Sequence, residues 1–341
     1  MAGDLVLITG ASGHLGFRVL VLALEAGYNA RVAVRSQAKA NNIVAAPSIK
    51  ALNSGSNVTF TIVPDILADG AYDAAVKGVK YIIHCASPLT SGITDDFENQ
   101  IVRPALRGTI GILESAHRTP GIKRVVITSS VVATIPFIEM LAESGKVFDG
   151  QLKVPFNPGP YKLEFEAYAD SKVRALAATH DFVARMKPGF DIINLLPSFI
   201  IGKNELVTGV EDFAKGTNRV VFGQVLGFKN PAPLPGSTVY LNDVASLHVR
   251  ALDPKIPGNQ DYPANSGGID GTTFSDAIDI INKNFPDAVK NGILPNNGTQ
   301  PTKKLTMDVT KTEKVFGLTF AGLDKQVTEV ALNYIDLVAQ T

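Results

Sequence analysis

The first half of the chain alternates short apolar, β-branched runs with longer segments in which apolar residues recur at helical spacing. This alternation is typical of strand–helix–strand units, which build parallel sheets. It predicts six strands: Leu5–Thr9, Ala30–Val34, Val58–Val63, Tyr81–Cys85, Arg124–Thr128 and Asp191–Leu196. We expect a helical stretch after each of the first five strands. The predicted fold class is therefore α/β, with a doubly wound parallel sheet.

The pattern changes beyond Pro197, where glycine and proline become frequent up to Gly236. Apolar spacing predicts helices at Leu15–Ala26, Val173–Ala184, Leu241–Leu252, Thr273–Asn284 and Leu323–Val338. We interpret residues 1–196, with a return segment at 237–266, as the main domain. Residues 197–236 and 267–341 are predicted to form a smaller C-terminal lobe interleaved with it.

Composition narrows the possible functions. The 341 residues are 45% apolar and 19% charged, as in soluble globular proteins, and 32 basic residues balance 32 acidic ones. No global charge therefore favours binding to nucleic acid or to an anionic membrane. Cys85 is the single cysteine, which excludes an intramolecular disulfide, and the five histidines show no metal-ligand spacing. We expect no metal and, since no signal or membrane segment is recognisable, a cytoplasmic location.

A glycine-rich turn, Thr9-Gly10-Ala11-Ser12-Gly13-His14-Leu15-Gly16, follows the first strand and opens the first predicted helix. Glycine lets the backbone approach a pyrophosphate, whose charge is held by unpaired amides and by the positive end of the helix dipole. Between a strand and a helix, this spacing predicts a dinucleotide site in a Rossmann-type domain. The predicted cofactor contacts are Gly10, Ser12, Gly13, His14, Leu15 and Gly16.

The end of the second strand indicates which dinucleotide binds. NAD-selective domains usually place Asp or Glu there to bind the ribose hydroxyls, but this chain reads Val34-Arg35-Ser36. Arg35 can form a bidentate contact with a 2′-phosphate, and Lys39 is a candidate second cation. The predicted cofactor is therefore NADPH/NADP+. The alternative is that Arg35 is a solvated loop cation.

Two later strand ends provide further candidate contacts. Asp65, followed by Ile66, either accepts a hydrogen bond from the adenine amino group or caps a following helix. After the fourth strand, Cys85-Ala86-Ser87-Pro88 offers small side chains beside the expected ribose, so Ala86 and Ser87 are predicted cofactor contacts. Cys85 itself is interpreted as a packed small residue rather than a nucleophile, since no motif places a base beside it.

The segment Tyr168-Ala169-Asp170-Ser171-Lys172 places a phenol and an ammonium group four residues apart on one helical face. A neighbouring positive charge favours phenolate, so we expect Lys172 to lower the pKa of Tyr168 from about 10. Taken alone, such a pair can also be a chance surface pair. The residues that follow the fifth strand, Thr128-Ser129-Ser130, lie at the edge of the sheet where doubly wound folds bind ligands. Ser130 is the candidate to bind a carbonyl oxygen, and capping is the alternative role for Ser129 and Ser130.

Together, the glycine turn, Thr128-Ser129-Ser130, Tyr168-x-x-x-Lys172 and Pro197-Ser198-Phe199-Ile200-Ile201-Gly202 resemble the extended short-chain dehydrogenase/reductase family over nearly the whole chain. Three further segments are similar to one branch of it, which comprises dihydroflavonol reductases, cinnamoyl-CoA reductases and fungal aldehyde or carbonyl reductases of the methylglyoxal type. They are Val32-Ala33-Val34-Arg35, His84-Cys85-Ala86-Ser87-Pro88 and Tyr240-Leu241-Asn242-Asp243-Val244-Ala245.

The resemblance implies specific roles. Tyr168 would donate the proton, Lys172 would tune its pKa and bind the ribose, and Ser130 would anchor the carbonyl. Pro197 and Ser198 match the segment that runs along the nicotinamide and binds its carboxamide. Residues 1–196 with the return segment would then form the NADP-binding domain, and the smaller lobe would bind substrate.

One departure from the wider family concerns the fourth helix. Other members carry an asparagine there, but the corresponding stretch reads Pro104-Ala105-Leu106-Arg107-Gly108. A proton relay supported by that asparagine is therefore in doubt. Members of this branch often lack it, and a water could serve.

Substrate is expected to lie among three connections, 131–166, 87–94 and 199–235, which are rich in aromatic residues. The predicted substrate contacts are Pro88, Phe137 and Phe199. No cluster of Arg or Lys marks these connections, which argues against nucleotide-sugar or acyl-CoA substrates.

The predicted function is NADPH-dependent reduction of a small-molecule aldehyde or ketone, with the proton from Tyr168, by a monomer or homodimer. One alternative is alcohol oxidation or a nucleotide-sugar conversion on the same scaffold. The other alternative is a non-catalytic NADP(H)-binding module that signals to a partner protein.

Overall fold

The computed structural model describes residues 3–52, 57–87, 95–213 and 215–340. Pro88 and most of the 87–94 connection lie outside the described residues. The strands in the described chain are β1 (Leu5–Thr9), β2 (Asn29–Val34), β3 (Val58–Ile62), β4 (Tyr81–His84), β5 (Arg124–Thr128), β6 (Val147–Phe148), β7 (Asp191–Pro197), β8 (Phe199–Ile201), β9 (Leu234–Gly236), β10 (Thr238–Tyr240), β11 (Gln260–Ala264), β12 (Thr302–Lys304) and β13 (Thr306–Met307).

The α-helices of the same residues are α1 (His14–Glu25), α2 (Gln37–Ala45), α3 (Pro47–Ala51), α4 (Arg103–His117), α5 (Phe137–Leu141), α6 (Glu164–Met186), α7 (Val210–Phe213), α8 (Asn218–Phe222), α9 (Leu241–Arg250), α10 (Asp276–Asn284), α11 (Pro286–Lys290), α12 (Thr310–Phe316) and α13 (Leu323–Val338). A π-helical turn at Glu98–Val102 leads into α4, and a 3₁₀ turn at Val131–Thr134 follows β5.

Among the described residues, the central sheet has seven strands in the order β11-β7-β5-β4-β1-β2-β3, and the pairings from β3 to β7 are parallel. The strand order reverses between β1 and β4, which makes the sheet doubly wound. This confirms the predicted α/β, Rossmann-type architecture. Ligands of such sheets bind outside the carboxyl ends of the strands at the reversal, here after Thr9 and His84.

All six predicted strands agree with the structure to within one residue at each end, but two other local expectations are wrong. No helix follows β3, because turns occupy 66–78, all of which the structure describes. Gly70 and Gly78 adopt φ values of +67° and +72° there, a left-handed conformation that interrupts a helix. The sheet also contains β11, which the sequence pattern missed because Gln260 and Asp261 break its apolar run.

The chain forms two compact units. The first comprises Met1–Phe137, Gln151–Leu196 and Ala245–Tyr262, and the second comprises Ile138–Gly150, Pro197–Val244 and Pro263–Thr341. These bounds differ from the predicted ones at 138–150, 237–244 and 263–266, which belong to the second unit.

Each unit has its own apolar core. In the first, Leu7, Ile82 and Val125 of neighbouring strands pack with Ile112 and Leu113 of α4, all fully buried. Burying each such side chain contributes about 1.5–3 kcal/mol, so the strands that carry the site are held firmly. The core of the second unit is built around Phe222, Phe274 and Val330.

Candidate active site

The glycine turn after β1 is shaped by close backbone approaches. Gly10 has a φ of +77°, and a Cβ there would lie 2.7 Å from the backbone N of Ala86. A Cβ on Gly16 would lie 2.3 Å from the carbonyl oxygen of Gly10, so these two glycines are required by the packing of the turn. Gly13 differs, since its Cβ would lie 3.4 Å from that same oxygen.

The start of α1 fits an anionic group. Gly13 is its N-cap residue, no side chain caps the helix, and its first turn holds no acidic residue. The helix dipole therefore faces the turn without a neutralising carboxylate. Ser12 is exposed and His14 and Leu15 are half-buried beside it, where the sequence placed the pyrophosphate. These residues would hold the pyrophosphate of a dinucleotide, and such a cofactor supplies or accepts a hydride when bound.

The carboxyl ends of β1 and β4 are tied together by a threonine that sequence reasoning missed. Thr9 Oγ1 accepts a hydrogen bond from the backbone N of Ala86 at 3.1 Å and hydrogen-bonds His84 Nδ1 at 2.8 Å. Burial, reinforced by the charge of Lys172, lowers the pKa of His84 to about 3, so the imidazole is neutral. The two contacts hold Ala86 beside Gly10 at the strand reversal.

The predicted adenosine contacts lie at strand ends. Arg35 directly follows β2 and is exposed, as is Lys39 in α2. Asp65 is also exposed, and its Oδ1 accepts a hydrogen bond from the backbone N of Leu67 at 2.8 Å. The carboxylate thus caps a turn and not a helix, while Ile66 packs partly against the core of the first unit.

Ser130 has the capping role considered for it, and its side chain also meets Tyr168; its binding of a carbonyl oxygen stays a prediction. Its Oγ accepts a hydrogen bond from the backbone N of Val132 at 3.4 Å, which caps the 3₁₀ turn after β5. A hydrogen bond also links its side chain to the phenol of Tyr168. Residues 38 positions apart in the chain therefore meet at the carboxyl edge of the sheet, as the sequence predicted.

Tyr168 and Lys172 lie one turn apart on α6. The Lys172 Nζ atom is 5.6 Å from the centroid of the Tyr168 ring and donates to Ser87 Oγ at 3.3 Å. Lys172 is only 7% exposed, and burial lowers its pKa to about 8. Ser87, a predicted cofactor contact, is thus a direct partner of the predicted catalytic lysine.

The expected direction of the Tyr168 pKa is wrong for this structure. Burial raises it above its usual value near 10, and the hydrogen bond with Ser130 opposes that rise without cancelling it. Burial has the larger effect because it disfavours the charged phenolate, just as it disfavours the charged form of Lys172. Tyr168 is therefore a neutral phenol at neutral pH, the form that can donate a proton.

Two phenylalanine rings lie next to Tyr168 in sequence of contact. Phe165, one turn earlier on α6, lies parallel to it with ring centroids 6.2 Å apart and planes at 16°. Phe137, a predicted substrate contact, has its ring 6.0 Å from that of Phe165. Both phenylalanines are half-buried, so they extend an apolar surface from the phenol. The spacing of three residues before Tyr168 was the sequence signal for Phe165.

A buried carboxylate holds the segment before α6. Asp170 accepts hydrogen bonds from the backbone N of Asn157 at 2.7 Å, from the Tyr161 hydroxyl at 2.6 Å and from Arg174 Nε at 2.6 Å. Arg174 also donates to the carbonyl of Asn157 at 2.8 Å. These contacts fix residues 157–161 on the helix that carries Tyr168. The i, i+4 spacing of Asp170 and Arg174 was the available signal.

The predicted nicotinamide segment belongs to the second unit. The backbone N of Ser198 donates to the carbonyl of Ala264 at 3.0 Å, and the Ser198 hydroxyl hydrogen-bonds the Asn265 side chain at 3.0 Å. Pro197 ends β7, and Phe199 packs partly into the core of this unit. Their contacts with cofactor and substrate stay predictions.

Two searches of the described residues gave negative results. No group of three or more His, Cys, Asp or Glu side chains in the described ranges could hold a metal ion. No helix in those ranges has the length and apolar character needed to cross a membrane.

Comparison with known proteins identifies the family of the chain. The model of the NAD-dependent epimerase/dehydratase family matches residues 6–262. The chain is 39% identical to the ketoreductase CTB6 of Cercospora nicotianae, over 99% of this chain and 96% of the relative. It is 34% identical to the NAD-dependent epimerase/dehydratase ALT6 of Alternaria alternata, over 97% and 98% of the two chains.

Among solved structures, the fold is similar to that of the yeast methylglyoxal/isovaleraldehyde reductase Gre2 complexed with NADPH. The TM-score is 0.80 at 24% identity, covering 99% of this chain and 100% of the other. The resemblance found in the sequence is thereby confirmed. The chain belongs to the NAD-dependent epimerase/dehydratase family of the extended short-chain dehydrogenases/reductases, which are oxidoreductases and related enzymes that use a nicotinamide cofactor.

Proposed function

We propose that this protein is an NADPH-dependent reductase of small-molecule ketones or aldehydes. The observation that carries the proposal is the half-buried phenol of Tyr168, which shares a hydrogen bond with Ser130 and whose ring centroid lies 5.6 Å from Lys172 Nζ. A phenol with a raised pKa holds its proton at neutral pH, as an acid that protonates a developing alkoxide must. The 39% identical ketoreductase supports a ketone as the reacting group.

In this proposal, each side chain has a separate task. Ser130 binds the carbonyl oxygen and stabilises the charge that develops there. Tyr168 donates the proton to that oxygen, and the adjacent ammonium of Lys172 then stabilises the phenolate that remains. When bound, NADPH would supply the hydride that the carbonyl carbon accepts. Phe137 and Phe165 give the substrate an apolar surface next to the phenol.

The preference for NADPH rests on the residues after β2. Arg35 and Lys39 are exposed cations there, and the segment Val34–Lys39 contains no carboxylate that could bind ribose hydroxyls. A guanidinium group suits the bidentate contact that a 2′-phosphate offers. The NADPH complex of Gre2 is consistent with this choice.

The experiment is a rate measurement with purified protein. We expect NADPH oxidation to exceed NADH oxidation on a panel of aryl and aliphatic aldehydes, α-diketones and β-keto esters. Tyr168→Phe should abolish turnover while leaving the affinity for NADPH nearly unchanged. A panel without turnover, or a Tyr168→Phe variant with the wild-type rate, would refute the proposal. Conversion of a nucleotide sugar with no net cofactor change would establish the epimerase alternative.

A further inference from the structure

A small cavity lies in the first unit beside Lys172, between the sheet and helix α6, with room for about one water molecule. Its lining is largely polar. Six of the lining side chains carry hydrogen-bonding groups: Thr109, Thr128, Ser129, Lys172, Thr179 and Asn194. Empty cavities in proteins are apolar, whereas polar ones of this size hold water.

Asn194 is the most informative of these residues. It lies in β7, whose other central residues are apolar, and it is only 3% exposed. Its Nδ2 donates to Asp261 Oδ1 at 2.8 Å, whereas its Oδ1 has no hydrogen-bond partner among the described residues. A buried carbonyl oxygen without a partner is unfavourable, and such groups are usually satisfied by an ordered water.

The hydrogen bond to Asp261 sets the orientation of the Asn194 amide. Asp261 accepts the Nδ2 hydrogen bond and also pairs with His180 Nε2, at 2.9 Å from Oδ2. A carboxylate accepts and does not donate, so the amide nitrogen must face Asp261 and the oxygen must face away from it. The side chain of His180 is 45% exposed, and its hydrogen bond to Asp261 raises the pKa of the imidazole.

Lys172 needs hydrogen-bond acceptors, whereas Asn194 Oδ1 needs a donor. Its ammonium has three N–H donors, is almost fully buried, and donates to Ser87 Oγ at the long distance of 3.3 Å. A buried charge is costly unless further acceptors surround it. Thr109 and Thr179 already donate to the carbonyls of Ala105 and Ala175, which leaves their hydroxyl oxygens able to accept.

We propose that this cavity is a water-binding site in which one water accepts a hydrogen bond from the Lys172 ammonium and donates to Asn194 Oδ1. Asn194 is then a positioning residue, which acts on the active site through Lys172. The role in turnover rests on the proposed reductase function, whereas the water site does not.

Lys172 is the residue near the cavity whose charged form the water would stabilise. Its titratable neighbours are Tyr168 on its own helix, His84 and Cys85 at the end of β4, His248 of α9 through Thr128, and Asp261 of β11 through Asn194. Burial lowers the pKa of His84 to about 3 and raises that of Cys85 to about 12, so both are neutral at neutral pH.

The direct test is a crystal structure of the cofactor-free protein at about 1.5 Å resolution. We expect density for a water within hydrogen-bonding distance of Lys172 Nζ and Asn194 Oδ1. In Asn194→Leu, which has a similar volume and no polar group, that water should be absent. A dry cavity in the wild type, or Asn194 Oδ1 bonded to a protein donor, would overturn the proposal.

The second test measures the Lys172 ammonium itself. Titration followed by NMR of the lysine Nζ groups should show its pKa lower by about half a unit or more in Asn194→Leu, because the charged form loses a bonded acceptor. The matched control is Asn333→Leu, which removes a buried amide of the second unit that accepts from the backbone N of Asn204. It should lower thermal stability and leave the Lys172 titration unchanged. Equal titrations in wild type and Asn194→Leu would refute the positioning role.

Both measurements are made without turnover, so they remain decisive if no carbonyl substrate is reduced. Where the reductase activity is found, the alkaline limb of the pH profile of kcat should move down with the Lys172 pKa in Asn194→Leu. A fall in kcat at all pH values with no movement of the limb would indicate a purely structural role and contradict the proposal.

Discussion

Removing the Ser130 hydroxyl tests the proposed chemistry most sharply. Ser130→Ala deletes the group that hydrogen-bonds the Tyr168 phenol and that caps the turn at Val132. Loss of one donor to a developing oxyanion costs about 2.7–4 kcal/mol, or roughly 10²–10³ in kcat. The capping contact is long, at 3.4 Å, so its loss should cost only about 0.5 kcal/mol of stability.

The loss of kcat and the loss of stability can be separated because different assays measure them. Steady-state reduction at saturating NADPH should show kcat lowered by about 10²-fold or more, while the thermal midpoint falls by only about 1–3 °C. The hydrogen bond with Ser130 lowers the Tyr168 pKa, so its removal should raise that pKa further. The absorbance change that follows Tyr168 deprotonation should therefore move to higher pH.

A matched control comes from the same 3₁₀ turn. Thr134 is buried, and its Oγ1 donates to the carbonyl of Val131 at 3.1 Å. Thr134→Val keeps the shape of the side chain, perturbs the turn and leaves the Ser130 hydroxyl in place, so stability should fall with little change in kcat. If Ser130→Ala retained more than about a third of wild-type kcat, or if both variants lost activity equally, the anchoring role of Ser130 would be refuted.

Three further predictions follow from individual residues. Arg35→Ala should raise KM for NADPH by about tenfold or more and leave KM for NADH nearly unchanged; equal effects on both cofactors would contradict 2′-phosphate binding. Gly10→Ala should destabilise the fold by more than about 2 kcal/mol in urea unfolding, since its Cβ would meet the Ala86 backbone at 2.7 Å and φ is +77°. His180 has its pKa raised by the hydrogen bond to Asp261, so this pair stabilises the protein below the unfolded-state pKa and loses that effect as pH rises through the folded one. The thermal midpoint of His180→Gln should accordingly fall below wild type most at about pH 5 and converge with it at about pH 9, and a constant difference would refute the linkage.

Much of the site was predictable because its parts lie at fixed positions in local elements. The turn from Gly10 to Gly16 was recognisable from glycine spacing after a strand. Tyr168 and Lys172 share a helical face because they are four residues apart. Ser130 was found because the carboxyl ends of parallel strands share one edge, which brings residues from distant strands together.

Other properties could not be predicted, because they depend on which distant groups surround a side chain. The Tyr168 pKa is raised and not lowered, since burial of the phenol outweighs the hydrogen bond with Ser130. Thr9 joins β1 to β4 through a hydroxyl that looks ordinary in the sequence. From the sequence, Asn194 is only a polar residue in an apolar strand. The structure adds that its amide nitrogen donates to Asp261 and that it lines the cavity.

The sequence by itself determined six strands of the central sheet, the longer helices, the glycine turn after β1 and the shared helical face of Tyr168 and Lys172. These follow from backbone stereochemistry and from periodicities of two and 3.6 residues, which are local. Tertiary structure decided the desolvation of Tyr168 and Lys172, the contacts of Ser130, and the cavity against Asn194. Those arise from packing between segments far apart in the chain, and the free energy of a charge depends on all the groups and solvent around it.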